Sequence, residues 1–268
     1  MKITSTANKR PLPGTPAGDQ LRQEFVYDLL SLLGDTRILW LPAVGDTTST
    51  TEESRNARVF TYDATIASRI NTLGSGIDVT FDGTDDEADS PDQADFSFGD
   101  GAVDQPFSIV ALLNSDGIAS GQETVFCKHD ETSGSELREW QIVLDGDENC
   151  FFYLWDESAN ARIGRRSSTG ASGWTNYTLT YDGSSSDVGI SIYRNGAGQA
   201  EASDSSGTYV AMENSATVVQ IGKQIGSSAN DEFFDGRLAL IALCAKQLSH
   251  DEAWAIKELI NGFFNLTL

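Results

Sequence analysis

Carboxylates are the residues of this chain best placed to do chemistry. Between Asp82 and Asp104 stand nine acidic side chains (82, 85, 86, 87, 89, 92, 95, 100 and 104) and no Lys or Arg. A hard cation such as Ca2+ takes about six to eight oxygens from carboxylates and carbonyls. Asp82, Asp85 and Asp86, closely spaced at the head of the run, are the candidate ligands; the alternative is a solvated acidic loop. A shorter acidic turn, Asp145 to Asn149, is a weaker candidate, since two or three carboxylates in a hairpin usually face water. Other chemistries lack parts: there are two His, and no H-E-x-x-H, C-x-x-C, G-x-S-x-G or G-x-x-x-x-G-K motif. Cys127, Cys150 and Cys244 are odd in number and lie in or beside apolar runs, which fits buried free thiols better than a disulfide framework.

Aromatic and basic residues form a second set. In the run Cys150–Trp155, strand alternation puts Phe151, Tyr153 and Trp155 on one face and Phe152 and Leu154 on the other. Both faces are apolar, so one meets something besides the domain's own core. Tyr153 and Trp155 are therefore candidates for a ligand or subunit contact, with burial in the core as the alternative. Trp140 shares a face with Ile142 and Leu144 and is expected in the core. Arg162, Arg165 and Arg166 are the densest basic spot; they would dock an acidic neighbour or neutralise a sheet edge.

Charge narrows the partners. The 268 residues carry 18 Lys plus Arg against 40 Asp plus Glu, a net charge of −22. Such a surface repels phosphate backbones and anionic lipid, so nucleic acid and membrane surfaces are not expected partners. Cations, neutral glycans and other protein subunits remain. No run of about 18 apolar residues exists, so no transmembrane segment is expected. Met1–Arg10 is polar and lacks the apolar stretch of a signal peptide.

The elements that must position these residues follow. Residues 1 to about 18, rich in Thr, Pro and Gly, read as an arm that becomes ordered only against a partner. Residues 19–34 read as a helix, with Asp19 as N-cap, Leu21, Phe25 and Leu29 on its apolar face, and Gly34 as its stop. That helix is the expected anchor. Short strands are expected at Ile38–Leu41, Val59–Tyr62 and Ile77–Phe81. Strand then follows strand at Phe107–Leu113, Thr124–Lys128, Glu139–Leu144, Cys150–Trp155, Trp174–Tyr181, Val188–Tyr193, Thr217–Ile221 and Leu238–Cys244, with an Asn195-Gly196 hairpin turn. This pattern predicts an all-β, two-sheet antiparallel sandwich. Ser249 to Glu252 is a capping box opening a short C-terminal helix that Gly262 ends. The expected division is an attachment region over residues 1–75 and the sandwich over 76–268.

The order of the motifs resembles the laminin G-like, or concanavalin A-like, jelly-roll family. The matching strings are "FDGTDD" (Phe81–Asp86), "QPFSIVALL" (Gln105–Leu113), "GWTNYTLTYDG" (Gly173–Gly183), "YRNG" (Tyr193–Gly196), "VQIGKQ" (Val219–Gln224), "FFDGRLALIAL" (Phe233–Leu243) and "LSHDE" (Leu248–Glu252). They span residues 77–268; the first 75 residues carry none of them. The resemblance implies a jelly roll, and Ca2+ at the sandwich rim as in family members. It also admits retaining glucanases, whose paired acids sit on one strand. Here the nearest string, Glu87 to Asp92, ends in Asp and contains the strand-breaking Pro91, so no enzyme is expected. The family also occurs on phage virions. The first expectation is thus a structural virion surface component (a capsid decoration or fibre-type subunit) anchored through its N-terminal region. The alternative is a lectin-like glycan-binding module, and a glycoside hydrolase or lyase stands below both.

Overall fold

The computed structural model describes residues 13–63, 69–117, 121–132, 134–168, 170, 172–226 and 232–268. Two large antiparallel sheets face each other. One runs in the order β14 (Ala197–Gly198), β13 (Ile190–Arg194), β12 (Thr175–Tyr181), β7 (Phe107–Ser115), β19 (Asp235–Cys244), β5 (Gly76–Asp82), β4 (Ile70–Leu73). Strand β1 (Thr36–Trp40) completes its eight by pairing with the C-terminal half of β19, while β5 takes the N-terminal half. The other sheet has nine strands in the order β15 (Glu201–Ser203), β11 (Ala161–Ser167), β10 (Cys150–Asp156), β9 (Leu137–Asp145), β8 (Gln122–Asp130), β16 (Val219–Ile221), β6 (Ala88–Ser90), β3 (Val59–Tyr62), β2 (Ser49–Thr51). A small ribbon of β17 (Lys223–Gln224) and β18 (Glu232–Phe233) stands beside β8.

The main core lies between the sheets. Ile109, Tyr177, Leu179, Tyr181 and Ile241 from the eight-stranded sheet meet Phe126, Trp140, Ile142, Phe152 and Leu154 from the nine-stranded one. Trp140 is in this core as expected, and its indole N–H donates to the Phe96 carbonyl at 3.0 Å. A second core covers the back of the eight-stranded sheet. There helices α1 (Pro16–Leu33) and α2 (His250–Phe264) lie on Val110, Leu112, Leu240 and Ala242. Burial on both faces is why β7 and β19 read as almost unbroken apolar runs. The Phe25 and Phe263 rings stack 4.3 Å apart where the helices meet, and such a pair adds about 0.5–1.5 kcal/mol beyond burial.

Several local expectations change. Helix α1 starts at Pro16 and is capped by Thr15, whose hydroxyl accepts the Gly18 N–H at 3.2 Å. Asp19 is therefore in the first turn, where its charge suits the helix dipole. Gly34 ends the helix as expected. The Ser249–Glu252 capping box forms, but α2 runs through Gly262 to Asn265, which takes the left-handed C-cap conformation. Val188 lies in a short 3-10 turn rather than in a strand. Asn195 and Gly196 both adopt positive φ, as a type I′ hairpin turn requires.

Within the expected attachment region, strands β1 and β4 belong to one sheet and β2 and β3 to the other. Helix α1 packs on the back of the eight-stranded sheet, and residues 1–12 of the expected arm lie outside the described residues. The anchoring role assigned to Leu21, Phe25 and Leu29 is corrected in part. Phe25 and Leu29 are buried against the chain's own α2 and sheet, and Leu21 is only partly covered. Among the described residues no helix is long and apolar enough to cross a membrane.

Candidate functional site

Both helices cover the back of the eight-stranded sheet, and among the described residues neither contributes to the cluster on the outer face of the nine-stranded one. That cluster is Val143, Phe151, Tyr153 and Trp155. In β9 and β10, Ile142, Phe152 and Leu154 point into the sandwich, so alternation sends Gln141, Val143, Phe151, Tyr153 and Trp155 outward. Tyr153 stands opposite Gly164 in β11. A Cβ at Gly164 would lie 2.4 Å from the Tyr153 ring, so the glycine is what lets the ring lie across the strand.

These aromatics floor a groove of about 540 Å3. The floor also includes Gln141, with Gln122 and Gly121 at one end. Its walls are Glu131, Gln224 and Glu232 on one side and Arg162 and Asp204 on the other. Arg162 lies over the Tyr153 ring at 4.7 Å and bonds Asp204 at 2.8 Å. Tyr153 donates its hydroxyl to the same carboxylate at 3.1 Å. Arg138 covers Trp155 at 4.3 Å and is held by Glu157. Guanidinium groups on ring faces account for the low exposure of Tyr153 and Trp155, 4% and 8%.

Polar atoms in this groove lack partners. The Trp155 indole N–H and the side-chain oxygens of Gln141 and Gln224 are buried with no hydrogen bond. A buried polar group without a partner costs about 1–3 kcal/mol, so such atoms call for a ligand or ordered water. Beside them, burial lowers the pKa of His129 and holds its ring neutral. His129 meets Trp155 edge-on, and its Nε2 lies 3.2 Å from Glu131. That hydrogen bond is the main cause of the depressed Glu131 pKa. Glu232 is pushed the other way, first by burial and then by the negative charge of Glu131.

The three arginines separate. Arg162 joins the groove. Arg165 points to the opposite face, where it pairs with Glu201 at 2.9 Å, and Arg166 is exposed across from Phe151. They form no single basic patch.

The acidic run is also redistributed. Asp63, Asp85 and Asp86 bring carboxylate oxygens within 4.8 Å of one another. Asp82, expected beside Asp85 and Asp86, instead closes its own turn by accepting the N–H groups of Thr84 and Asp85 at 3.0 and 3.4 Å. Asp86 is buried, accepts the Asp82 N–H at 2.9 Å and pairs with Arg69. The Arg69 guanidinium thus supplies positive charge at the place expected for Ca2+. Further along, Glu87 pairs with Lys223, Asp92 with Lys128, and Asp95 with Arg37 and Arg58. Asp104 accepts the hydroxyls of Tyr181 and Tyr209, both at 2.7 Å. Much of the run is therefore tied into the fold by partners distant in sequence.

Residue types alone had not marked Gln141, Gln224, Glu131, Glu232, His129 and Asp204. Only Gln141 had a usable signal, since it alternates onto the same face as Val143. His129 comes from the end of β8, Gln224 and Glu232 from the β17–β18 ribbon, and Glu131 and Asp204 from the loops that follow β8 and β15.

No curated protein sequence matches the chain. Solved structures share its fold at low identity. A botulinum neurotoxin type C structure, of a toxin that enters cells dependent upon interaction with two ganglioside molecules, aligns at 11% identity with a TM-score of 0.60; 86% of this chain and 52% of that one are covered. The binding domain of Paraclostridial Mosquitocidal Protein 1 aligns at 13% identity and TM-score 0.58, covering 87% and 53%. The ligand-binding domain of botulinum neurotoxin serotype D in complex with N-acetylneuraminic acid aligns at 12% identity and TM-score 0.55, covering 86% and 52%. The chain spans about half the length of these structures. A laminin G-like family model, described as concanavalin A-like lectin/glucanases, matches residues 82–253. With that pattern running through most of the strands of a two-sheet jelly roll, the chain belongs to the concanavalin A-like lectin/glucanases superfamily.

Proposed function

We propose that the protein is a glycan-binding module that holds a sugar in the groove on the outer face of the nine-stranded sheet. The observation that carries this is the groove floored by Phe151, Tyr153 and Trp155 on the outer face of the sheet, where, among the described residues, the Trp155 N–H and the Gln141 and Gln224 oxygens lack partners. Sugars present many hydroxyls to amide and indole groups, and these unpartnered atoms match them. Structures of similar fold include proteins described with a ganglioside or with N-acetylneuraminic acid. Four carboxylates and one guanidinium line this groove, however, so anionic sugars are repelled and uncharged ones favoured. The proposed activity is binding without catalysis. Glu87, the first acid of the nearest glucanase-like string, is engaged by Gln220 and Lys223. Titrating a panel of neutral and sialylated oligosaccharides into the protein, with Ca2+ and then with EDTA, tests the proposal. Binding of neutral sugars lost in W155A supports it, and no binding in either condition contradicts it. A loss caused by EDTA would show that binding needs a divalent cation, and D85N would then test whether the Asp63, Asp85 and Asp86 cluster holds it.

A second role, attachment to a virion shell or a sister subunit, is favoured by the apolar groove of about 250 Å3 between the helices, lined by Leu21, Phe25, Leu259 and Phe263. On another side of α1, beside Leu30 and Ser31, Tyr27 is 76% exposed and offers a second apolar contact. Removing α1 would strip Phe25, Leu29 and Leu33 from the core, so L21E and Y27E are the suitable variants. Light scattering of the wild type and both variants, alone and with candidate shell proteins, checks it. Association lost in the variants supports attachment, and a wild-type monomer that binds none of them opposes it.

A further inference from the structure

We infer that the groove selects amino sugars, with the ammonium group of a glucosamine-type residue seated between Glu131 and Glu232. The inference rests on the glycan-binding proposal above and specifies its ligand. Glu131 and Glu232 line the same side of the groove: the Glu131 N–H donates to the Ile225 carbonyl at 2.9 Å, and the adjacent Gln224 pairs across the ribbon with Glu232, so that the charge of Glu131 is felt at Glu232. Among the described residues, the one cation lining the groove, Arg162, is held by Asp204 and the Tyr153 ring on the opposite wall. His129 touches Glu131 but is held neutral by burial, so it adds no positive charge near neutral pH. Among the described residues, Glu232 has one weak partner, the Thr124 hydroxyl at 3.4 Å, and burial together with Glu131 disfavours its ionised form. A cation entering between the two carboxylates removes their repulsion and gives Glu232 a charged donor. Gln141 and Gln224, 5% and 3% exposed, add unpartnered amide oxygens on the same side. The two carboxylates and the two unpartnered amide oxygens are acceptors, so this part of the groove offers its ligand's donors four acceptor groups. An ammonium supplies three N–H donors and a charge, whereas a hydroxyl supplies one donor and an acetamido group supplies one N–H and a carbonyl that would face the carboxylates.

The test compares a glucosamine tetramer, its fully N-acetylated counterpart, a neutral glucose tetramer and a sialylated trisaccharide, titrated calorimetrically at about pH 6 and low salt. The glucosamine tetramer should bind at least about tenfold tighter than the other two tetramers, about 1.4 kcal/mol. The sialylated sugar should bind weakest. In E232Q the ratio of the glucosamine-tetramer affinity to the glucose-tetramer affinity should fall to about threefold or less, whatever happens to either affinity alone. Raising the salt should erode the preference in the wild type but not in E232Q. Equal binding of all three tetramers by the wild type overturns the amino-sugar inference and leaves glycan binding standing. An E232Q variant that folds and keeps the full preference also overturns it. Binding of no sugar by the wild type overturns the glycan-binding proposal and this inference together.

Discussion

Replacing Glu123 with Gln should stabilise the protein at alkaline pH and do little at acid pH. Glu123 begins β8, is 7% exposed, and accepts the Asp235 N–H at 3.1 Å. Burial is the largest cause raising its carboxyl from 4.5 to about 7, and the charges of Asp235, Glu148 and Asp116 add to it. Below about pH 4.5 the group is neutral in both folded and unfolded chains. As pH rises, the unfolded form ionises first, so folding loses stability until the folded carboxyl ionises as well near pH 7. A gap from 4.5 to about 7 corresponds to about 3 kcal/mol at full strength. Relaxation of the partly solvated rim reduces this, so an effect of about 1–3 kcal/mol is expected. The Gln amide oxygen can keep the Asp235 bond and carries no charge. Urea melts of wild type and E123Q at pH 4 and pH 8 should show E123Q more stable at pH 8 by about that amount, with the two nearly equal at pH 4. Equal destabilisation of E123Q at both pH values would refute the assignment, because a packing loss does not depend on the ionisation of the wild-type residue.

Three further outcomes are expected. G164A forces a methyl group into the Tyr153 ring, and should cost about 1–3 kcal/mol while weakening glycan binding more than the distant S249A does; unfolding curves and titrations of both variants check this. S249A removes the acceptor of the Glu252 N–H at the start of α2 and should cost about 1 kcal/mol, read as a lowered urea midpoint with an unchanged slope. R69Q leaves Asp86, which is 2% exposed, without its counter-charge and should cost about 2–4 kcal/mol. Millimolar Ca2+ should restore part of that loss in R69Q and change the wild type little, as read by thermal melts with Ca2+ or EDTA; identical R69Q melts in both would remove the cation from the explanation.

The sandwich was legible because its strands alternate or run apolar between turn residues, as in β7, β12 and β19. Strand β11 was not, since Ala161-Arg162-Ile163-Gly164-Arg165-Arg166 holds only one β-branched residue, and its pairing depends on β10 and β15 beside it. The same omission hid the separation of Arg162 from Arg165, because alternation divides them only once β11 is a strand. Tyr153 and Trp155 were found from two apolar faces on one strand. What lay over them was not, because Arg138 and Arg162 arrive from neighbouring strands and Glu232 from the ribbon. Counting charges along the acidic run likewise missed the partners that neutralise it: Arg37 and Arg58 on Asp95, Lys128 on Asp92 and Lys223 on Glu87 are brought in by tertiary folding. The anchoring face of α1 looked free because its partner, α2, lies more than 200 residues away in sequence.

The sharpest measurement is the indole N–H spectrum of the five tryptophans, Trp40, Trp140, Trp155, Trp174 and Trp254, recorded by NMR during titration with an oligosaccharide that binds. Trp155, whose N–H is buried without a partner in the groove, should shift progressively downfield as it gains an acceptor. Trp140, already bonded to the Phe96 carbonyl, and Trp254 on α2 should stay in place. A saturating titration in which Trp155 does not move, or in which Trp254 moves instead, would contradict a glycan site on this face of the sheet.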